Sequence, residues 1–253
     1  MTATQSGRRH KDNFHMTANE NTAWKRLSVE AAAIVGSILL AFAIDAWWAE
    51  RMDRVAEREE LLRLYDEFSL NRERLDAWIG EEGLVYRERK SAIRVSDAVD
   101  AALKNGSQTV LVHDVDVAAM LQTPTFEANS PVFESLVRSG RMEIIENRAV
   151  VNAISTWERE LRGASDIEQR GVRFVYDHLV PALSNNNIRH ILLNQFVINS
   201  IDQSAVTEIR VNVLIVNLSV QRFSQLDQIH RTLTRVRDSA DQAMAAISEF
   251  LNK

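Results

Sequence analysis

The chain contains no cysteine among its 253 residues. A protein without cysteine forms no disulfide, offers no thiolate nucleophile and has no thiolate ligand for zinc or for an iron–sulfur cluster. These kinds of site are excluded at the outset. The absence does not assign a compartment, because it fits either side of a membrane.

Glycine and proline are also scarce, with 8 Gly and 3 Pro in the chain, which is about 4% against roughly 12% in average usage. Because these residues form turns and end helices, few connections are expected. Ala, Leu, Glu and Arg favour long helices. We therefore expect an all-α protein, in which an N-terminal transmembrane helix continues into an elongated helical bundle with a long C-terminal helix.

The chain lacks an excess of positive charge, since its formal net charge is -5. A nucleic-acid-binding protein normally carries a basic face, so nucleic acid is not an expected partner. No HExxH, GxSxG or glycine-rich phosphate loop is present. The pairs Asp227/His230 and Asp177/His178 are weak metal-ligand candidates. We expect no catalytic residues, no cofactor and no metal, and we do not expect an enzyme.

One long apolar run stands near the amino terminus, where residues 31–44 carry no charge and no proline. As a helix they cover about 21 Å, whereas the hydrocarbon core of a bilayer is about 30 Å thick. Residues 27–49 are long enough to cross, and they include Glu30 near one end and Asp45 near the other. We expect a transmembrane helix over 27–49 that acts as a signal anchor in the lipid bilayer.

Four residues are expected at the membrane interfaces: Glu30, Asp45, Trp47 and Trp48. A carboxylate near an interface is far cheaper than one at the bilayer midplane, where insertion costs about 2.5–3.5 kcal/mol. Indole rings favour headgroup depth. Both ends of the apolar run therefore carry interface signals.

Small side chains recur every four residues inside the expected span, at Ala33, Ser37 and Ala41, and Gly36 adjoins them. Such stripes let transmembrane helices approach closely. We expect this face to support a homo-oligomer. The alternative interpretation is that the span is simply rich in alanine.

Three other kinds of segment share part of the pattern. Apolar runs of about 10–14 residues also occur as buried helices of soluble proteins. Ala41-Phe42-Ala43 has the small-x-small form of a signal-peptide cleavage site. An interfacial helix that lies flat on a membrane needs a polar face, which residues 31–44 lack. The transmembrane interpretation fits the whole stretch best.

Residues 1–26 are polar and lack an apolar period, so we expect a disordered tail, with Met16 as an alternative start. This tail carries five basic residues and two acids. Six arginines follow the span within residues 50–76, but they lie among acids, and large domains translocate largely regardless of charge. We expect a single-pass protein of the bacterial inner membrane with a cytoplasmic amino terminus and a periplasmic body.

The body, residues 50–253, is expected to be one helical bundle domain. A seam with four- and three-residue steps predicts a helix that packs on its own chain, or alternatively a coiled coil between chains. The seam consists of Leu61, Tyr65, Phe68, Leu75 and Ile79.

Several local signals divide the rest of the body. Asn129-Ser130-Pro131 predicts a helix start, Asp114 predicts a cap for a brief helix, and Gly163 predicts a helix end. Residues 109–112 are expected to be a short extended piece. Residues 204–251 contain no Gly or Pro and are expected to form the longest helix of the body.

Two stretches resemble a family of uncharacterised bacterial single-span membrane proteins, whose span reads EIxLVVxGILIALxIxxWxExR. The residues that carry the resemblance are Val29-Glu30, Ile34 to Ala41, Ala43 to Arg51, Phe133 to Leu136, Ser139-Gly140, Ile144-Ile145 and Asn147. The chain departs from this family at Val29, where Gly is common, and in its alanine-rich span. The resemblance implies membrane anchoring and a helical body, and it transfers no catalytic residue.

The expected function is interaction or scaffolding in the bacterial cell envelope, through a protein partner that the sequence does not identify. The alternative is a periplasmic ligand-sensing helical bundle that signals through a partner. A cytoplasmic tail of 26 residues is too short to hold an output module, so this alternative needs that partner.

Overall fold

The computed structural model describes residues 18–186, 188–194, 202 and 204–252. The chain divides into two compact units, residues 1–55 and 56–253. The boundary lies a little beyond the expected end of the span at Ala49. Apart from two short strands, the regular elements of the described residues are helical, which confirms the all-α prediction.

In the first unit the described residues form a single helix. Helix α1 spans Ala18–Ile79 and therefore extends into the second unit. It contains no proline and only one glycine, Gly36, so nothing in the sequence interrupts its backbone hydrogen bonds. Residues 18–26, which were expected in the tail, are helical, and residues 1–17 of that tail lie outside the described residues.

The second unit contains the end of α1 and the remaining elements. In chain order the α-helices and strands are α2 (Leu84–Lys104), β1 (Thr109–His113), α3 (Asp114–Leu121), α4 (Pro131–Arg138), α5 (Arg148–Phe174), α6 (Val180–Leu183), α7 (Arg189–Asn194), β2 (Val206–Arg210) and α8 (Val213–Leu251). A short 3-10 helix at Arg141–Ile144 precedes α5, and a π-helical turn at Val175–Leu179 follows it. Helix α8 is the longest helix that lies wholly in this unit, and it packs against α5 and α2. The prediction of a long C-terminal helix is confirmed.

The seam of α1 is used within the chain. Leu61, Phe68 and Leu75 are fully buried, and they join one continuous apolar core with Trp157 of α5 and Leu226 of α8. Burying such side chains stabilises the fold by about 1.5–3 kcal/mol each. This supports packing of the seam on its own chain.

The strands form a two-stranded antiparallel sheet in which Thr109 pairs with Arg210 and His113 pairs with Val206. The extended piece predicted at 109–112 is confirmed. The helix predicted from Ser204 is wrong over its first part, because residues 206–210 are strand β2 and α8 begins only after the cap Asn212. Strand β2 buries Thr207 and Ile209, an alternation of period two.

The helix end predicted at Gly163 is also wrong, since α5 continues through it to Phe174. A glycine inside a helix costs about 1 kcal/mol relative to alanine. Buried residues on both sides of it, such as Trp157 and Phe174, favour continuation. The helix widens only later, at Val175–Leu179, where Pro181 has no N–H to donate to the carbonyl of Asp177.

Candidate functional site

The apolar part of α1 is not covered by any other part of the chain that the structure describes. Every residue from 31 to 44 is exposed, and Leu39 and Phe42 expose 63% and 66% of their surface. Among the described residues, this is the one helix long and apolar enough to cross a membrane, and none of its apolar window is buried. A core helix of a soluble protein would be mostly buried, so the exposure argues against that alternative.

The expected interface residues lie at the ends of this helix segment. The Trp47 and Trp48 rings lie 6.2 Å apart at a tilt of 54°, and the Arg51 guanidinium lies 5.9 Å from the centre of the Trp47 ring. Glu30 and Asp45 are exposed at opposite ends of the uncharged run. The carboxyl-terminal end therefore combines two indoles with a cation, a composition suited to phospholipid headgroups.

The small residues lie along one stripe of α1. Ala33, Ser37 and Ala41 are all exposed, and a Cβ added at Gly36 would meet no atom within 4 Å. The Ser37 hydroxyl donates to the carbonyl of Ile34 at 2.7 Å. The stripe is thus open to the approach of another helix.

In the second unit, a stretch without regular structure joins α3 to α4. This α3–α4 connection comprises residues 122–130. The fully buried Arg222 of α8 holds its beginning: Nε donates to the carbonyl of Met120 at 2.9 Å, and Nη2 donates to the carbonyl of Gln122. A side chain thus satisfies carbonyls that a helix or sheet would otherwise pair.

Two further side chains hold the middle and the end of the α3–α4 connection. The backbone N–H of Phe126 donates to Glu168 of α5 at 3.1 Å. Asn71 of α1 bonds to both polar groups of the Asn129 backbone. The connection is therefore fixed by side chains from α1, α5 and α8.

Helix α4 receives its cap from another helix. Glu67 of α1 accepts hydrogen bonds from the N–H groups of Val132 at 2.6 Å and Phe133 at 3.2 Å. The start predicted at Ser130-Pro131 is confirmed, but the Ser130 side chain makes no capping bond. Burial raises the pKa of Glu67, and the two backbone hydrogen bonds partly offset this rise.

The second stretch that carries the family resemblance forms the turn between α4 and α5. The Phe133 ring packs edge-on against Trp157, with ring centres 5.9 Å apart. Gly140 adopts the left-handed conformation with φ 70°, which a side chain would strain. Asn147 caps α5 by accepting from the N–H groups of Ala149 and Val150. These residue types thus have structural roles in the turn.

A buried carboxyl group, Glu88, and a buried guanidinium, Arg222, lie between α2 and α8. Glu88 is 1% exposed, and burial raises its pKa to about 8 despite the positive charge of Arg222. Burial also lowers the pKa of Arg222 to about 10. Within the described part of the chain, both carboxylate oxygens of Glu88, Nη1 of Arg222 and Oε1 of Gln225 make no hydrogen bond. Burial raises the pKa of Glu168 as well, to about 7.

A polar cleft of about 380 Å³ lies beside β2 and α7. At its edge the buried Asp114 lies 2.6 Å from Nε2 of His190 and accepts a hydrogen bond from the Thr207 hydroxyl at 2.6 Å. The cap predicted at Asp114 is wrong, because His113 occupies the N-cap position of α3, and the Asp114 side chain instead ties α3 to α7 and β2. The sequence did not single out His190, because its partner lies 76 residues away.

The histidine pairs considered from sequence have other partners. Asp227 forms ion pairs with Arg89 and Arg231, and His230 bonds to the carbonyl of Ile79. Among the described residues, no group of three or more His, Asp or Glu side chains is arranged to hold a metal ion.

No protein-family model matches the chain, and neither a curated protein nor a solved structure matches it. The class of protein therefore rests on the fold and the sites only. They define an all-α protein with an exposed apolar helix near its amino terminus. The resemblance of the two stretches to a bacterial single-span family stays a prediction.

Proposed function

We propose that this protein is a membrane-anchored interaction or scaffolding protein of the bacterial cell envelope. The observation that carries the proposal is the unburied apolar run of residues 31–44, which would be costly to leave in water. The pair Trp47 and Trp48 at its end supports placement in a bilayer. The second unit supplies a packed helical body, and the proposal assigns it no catalysis.

The proposed topology is a single pass with the amino terminus in the cytoplasm and the body in the periplasm. Alkaline phosphatase and green fluorescent protein fused separately to each terminus test it. Phosphatase activity at the carboxyl terminus and fluorescence at the amino terminus are expected, since phosphatase folds only in an oxidising compartment. The reversed pattern would overturn the orientation, and a soluble product would overturn the anchor.

The same experiment separates an anchor from a cleaved leader. Cleavage after Ala43 would remove an amino-terminal tag from the mature protein. We expect the tag to stay with the membrane fraction and to resist extraction by carbonate. A variant with Leu39→Arg and Leu40→Arg should lose membrane retention, whereas Leu62→Arg, on the exposed surface of α1 in the second unit, should keep it.

We further propose that the stripe of Ala33, Ser37 and Ala41 pairs two copies of the span. Its openness supports this, because small side chains let helix backbones approach. Replacing Ser37 and Ala41 with Ile should abolish cross-linking between copies in membranes. Leu40→Ile, which lies beside the stripe, is the matched control, and equal cross-linking in both variants would exclude this contact.

A second candidate function is ligand sensing by the body, with the signal passed to a partner. The polar cleft favours it, since Asp114 fixes His190 at the edge of a concave surface of ligand size. A pulldown that recovers the same partner with and without small metabolites would favour the scaffold over the sensor.

A further inference from the structure

Among the described residues that line the polar cleft, one cation and one anion lie on the same strand. Glu208 and Arg210 both line it, and both are exposed in the alternating pattern of β2. Within the described ranges, neither side chain forms an ion pair or a hydrogen bond. Two residues apart on one face of a strand, their Cα atoms lie roughly 7 Å from each other. A ligand with opposite charges can therefore sit between them.

We propose that this cleft binds a small zwitterion of the free α-amino acid class, with Arg210 taking the carboxylate and Glu208 the ammonium group. The proposal rests on the second candidate function and names its ligand. A guanidinium fork matches a carboxylate with two parallel hydrogen bonds, which adds specificity to charge attraction. The ammonium group donates three hydrogen bonds, and a carboxylate accepts them.

The other lining residues are neutral or internally paired. Asp114 commits Nε2 of His190 and so fixes the imidazole ring beside the cleft. Asn185 and Thr109 line the same cleft and add an amide and a hydroxyl. Asn186 accepts a hydrogen bond from the backbone N–H of Arg210 at 2.8 Å and holds this end of β2 in place.

Charge and size favour a zwitterion over other ligands. Among the described residues that line the cleft, the charges of Arg210 and Glu208 cancel, and the Asp114 carboxyl group lies against His190, so these residues offer no surplus positive charge to a phosphate or sulfate. Its volume of about 380 Å³ lies at the small end of the range for ligand pockets, about 300–1,000 Å³. A free amino acid has no net charge and is small, so it fits both the charge and the volume of the cleft.

The test uses the full-length protein in detergent and each of the twenty standard L-amino acids in turn, with a saturable rise in melting temperature as the readout. Acetate, ammonium chloride and sulfate serve as controls, because none of them carries an ammonium group and a carboxylate in one molecule. They should not raise the melting temperature. Isothermal titration of the best amino acid should show 1:1 binding. Arg210→Gln and Glu208→Gln should each weaken it by roughly tenfold to hundredfold, the effect of losing a charge-assisted hydrogen bond.

Arg170→Gln is the matched control, because Arg170 is exposed on α5 and does not line the cleft. It should leave binding unchanged, and circular dichroism should show that all three variants are folded. The inference is overturned if no amino acid binds, or if binding survives both cleft substitutions. If another metabolite binds and Arg210→Gln weakens it, this ligand class is wrong while the sensor function stands. If an amino acid binds through the cleft without changing partner recovery, the site stands and the sensor function fails.

Discussion

Asn71 and Asn129 bind each other as a side-chain amide binds a peptide group. Nδ2 of Asn71 donates to the Asn129 carbonyl at 2.8 Å, and the Asn129 N–H donates to Oδ1 of Asn71 at 2.8 Å. Asn71 is fully buried in α1, so this pair fastens the end of the α3–α4 connection to the first helix of the body. No other residue type offers the same donor and acceptor at this length.

Asn71→Leu is therefore expected to lower the free energy of unfolding by about 2–4 kcal/mol. The substitution leaves a backbone N–H and a carbonyl without their partners, and each unsatisfied group costs about 1–3 kcal/mol, partly relieved by water. Urea unfolding of the full-length protein in detergent measures the change. Asn152→Leu, at an exposed position of α5, should change it by less than about 0.5 kcal/mol.

Arg222→Met should lower the free energy of unfolding by about 3–5 kcal/mol, because it leaves two backbone carbonyls without their donor, each at a cost of about 1–3 kcal/mol. The double variant Glu88→Leu with Arg222→Met should lose less than the sum of the two single losses. The same urea titrations supply this double-mutant cycle. If the losses in the free energy of unfolding add exactly, the Glu88 and Arg222 side chains do not interact.

Stability should fall as the pH rises from about 5 to 8. Burial raises the pKa of Glu88 to about 8 and that of Glu168 to about 7, so the folded protein keeps protons that the unfolded chain releases near pH 4.5. The stabilising protonation is complete below the unfolded pKa and is lost as the pH passes the folded values. A total loss of roughly 4–6 kcal/mol is expected from unfolding curves at several pH values.

Glu88→Gln and Glu168→Gln should each flatten this pH dependence and raise stability at pH 8, since a neutral amide avoids the buried charge. Glu127→Gln is the control, because Glu127 lies exposed in the α3–α4 connection. A pH profile that keeps its slope in both variants would assign the dependence to other groups.

The same substitution should have opposite effects at two glycines. Gly140→Ala is expected to cost about 1–2 kcal/mol, because Gly140 has φ 70°. Gly163→Ala should instead stabilise by about 0.5–1 kcal/mol, since Gly163 lies inside α5 and an added Cβ meets no atom within 4 Å. Thermal unfolding of the two variants measures both shifts, and equal signs would contradict the assigned backbone conformations.

Local sequence signals predicted the helical class and several boundaries. Helix α1 ends just before Gly80, and α4 begins at Pro131, because glycine and proline act on the adjacent backbone. Strand β2 escaped prediction since its partner β1 lies about a hundred residues earlier, and no glycine or proline marks the start of α8. The helix end predicted at Gly163 was wrong because core packing on both sides of it outweighs the low helix propensity of glycine.

Some features of the candidate sites were predictable from local sequence, and others arise only from the fold. The exposed apolar run of residues 31–44 was predictable from composition, because an uninterrupted uncharged stretch is a continuous pattern in the sequence. Asp114 and His190 meet only through the fold, and neither carries a local motif. The cap that Glu67 supplies to α4 is likewise invisible locally, since Ser130 beside the helix is the residue type that normally provides it.

The contacts of Arg222 also order events in time. They join residues 100 and 102 positions apart, and α8, which supplies them, is synthesised well after α3. The carbonyls of Met120 and Gln122 therefore gain the Arg222 donor only after α8 has been synthesised. Contacts between residues so far apart in sequence slow folding, because the chain loses the entropy of closing a long loop before the contact stabilises it. The Arg222 contacts are therefore expected to form late in folding, after the more local contacts of the body.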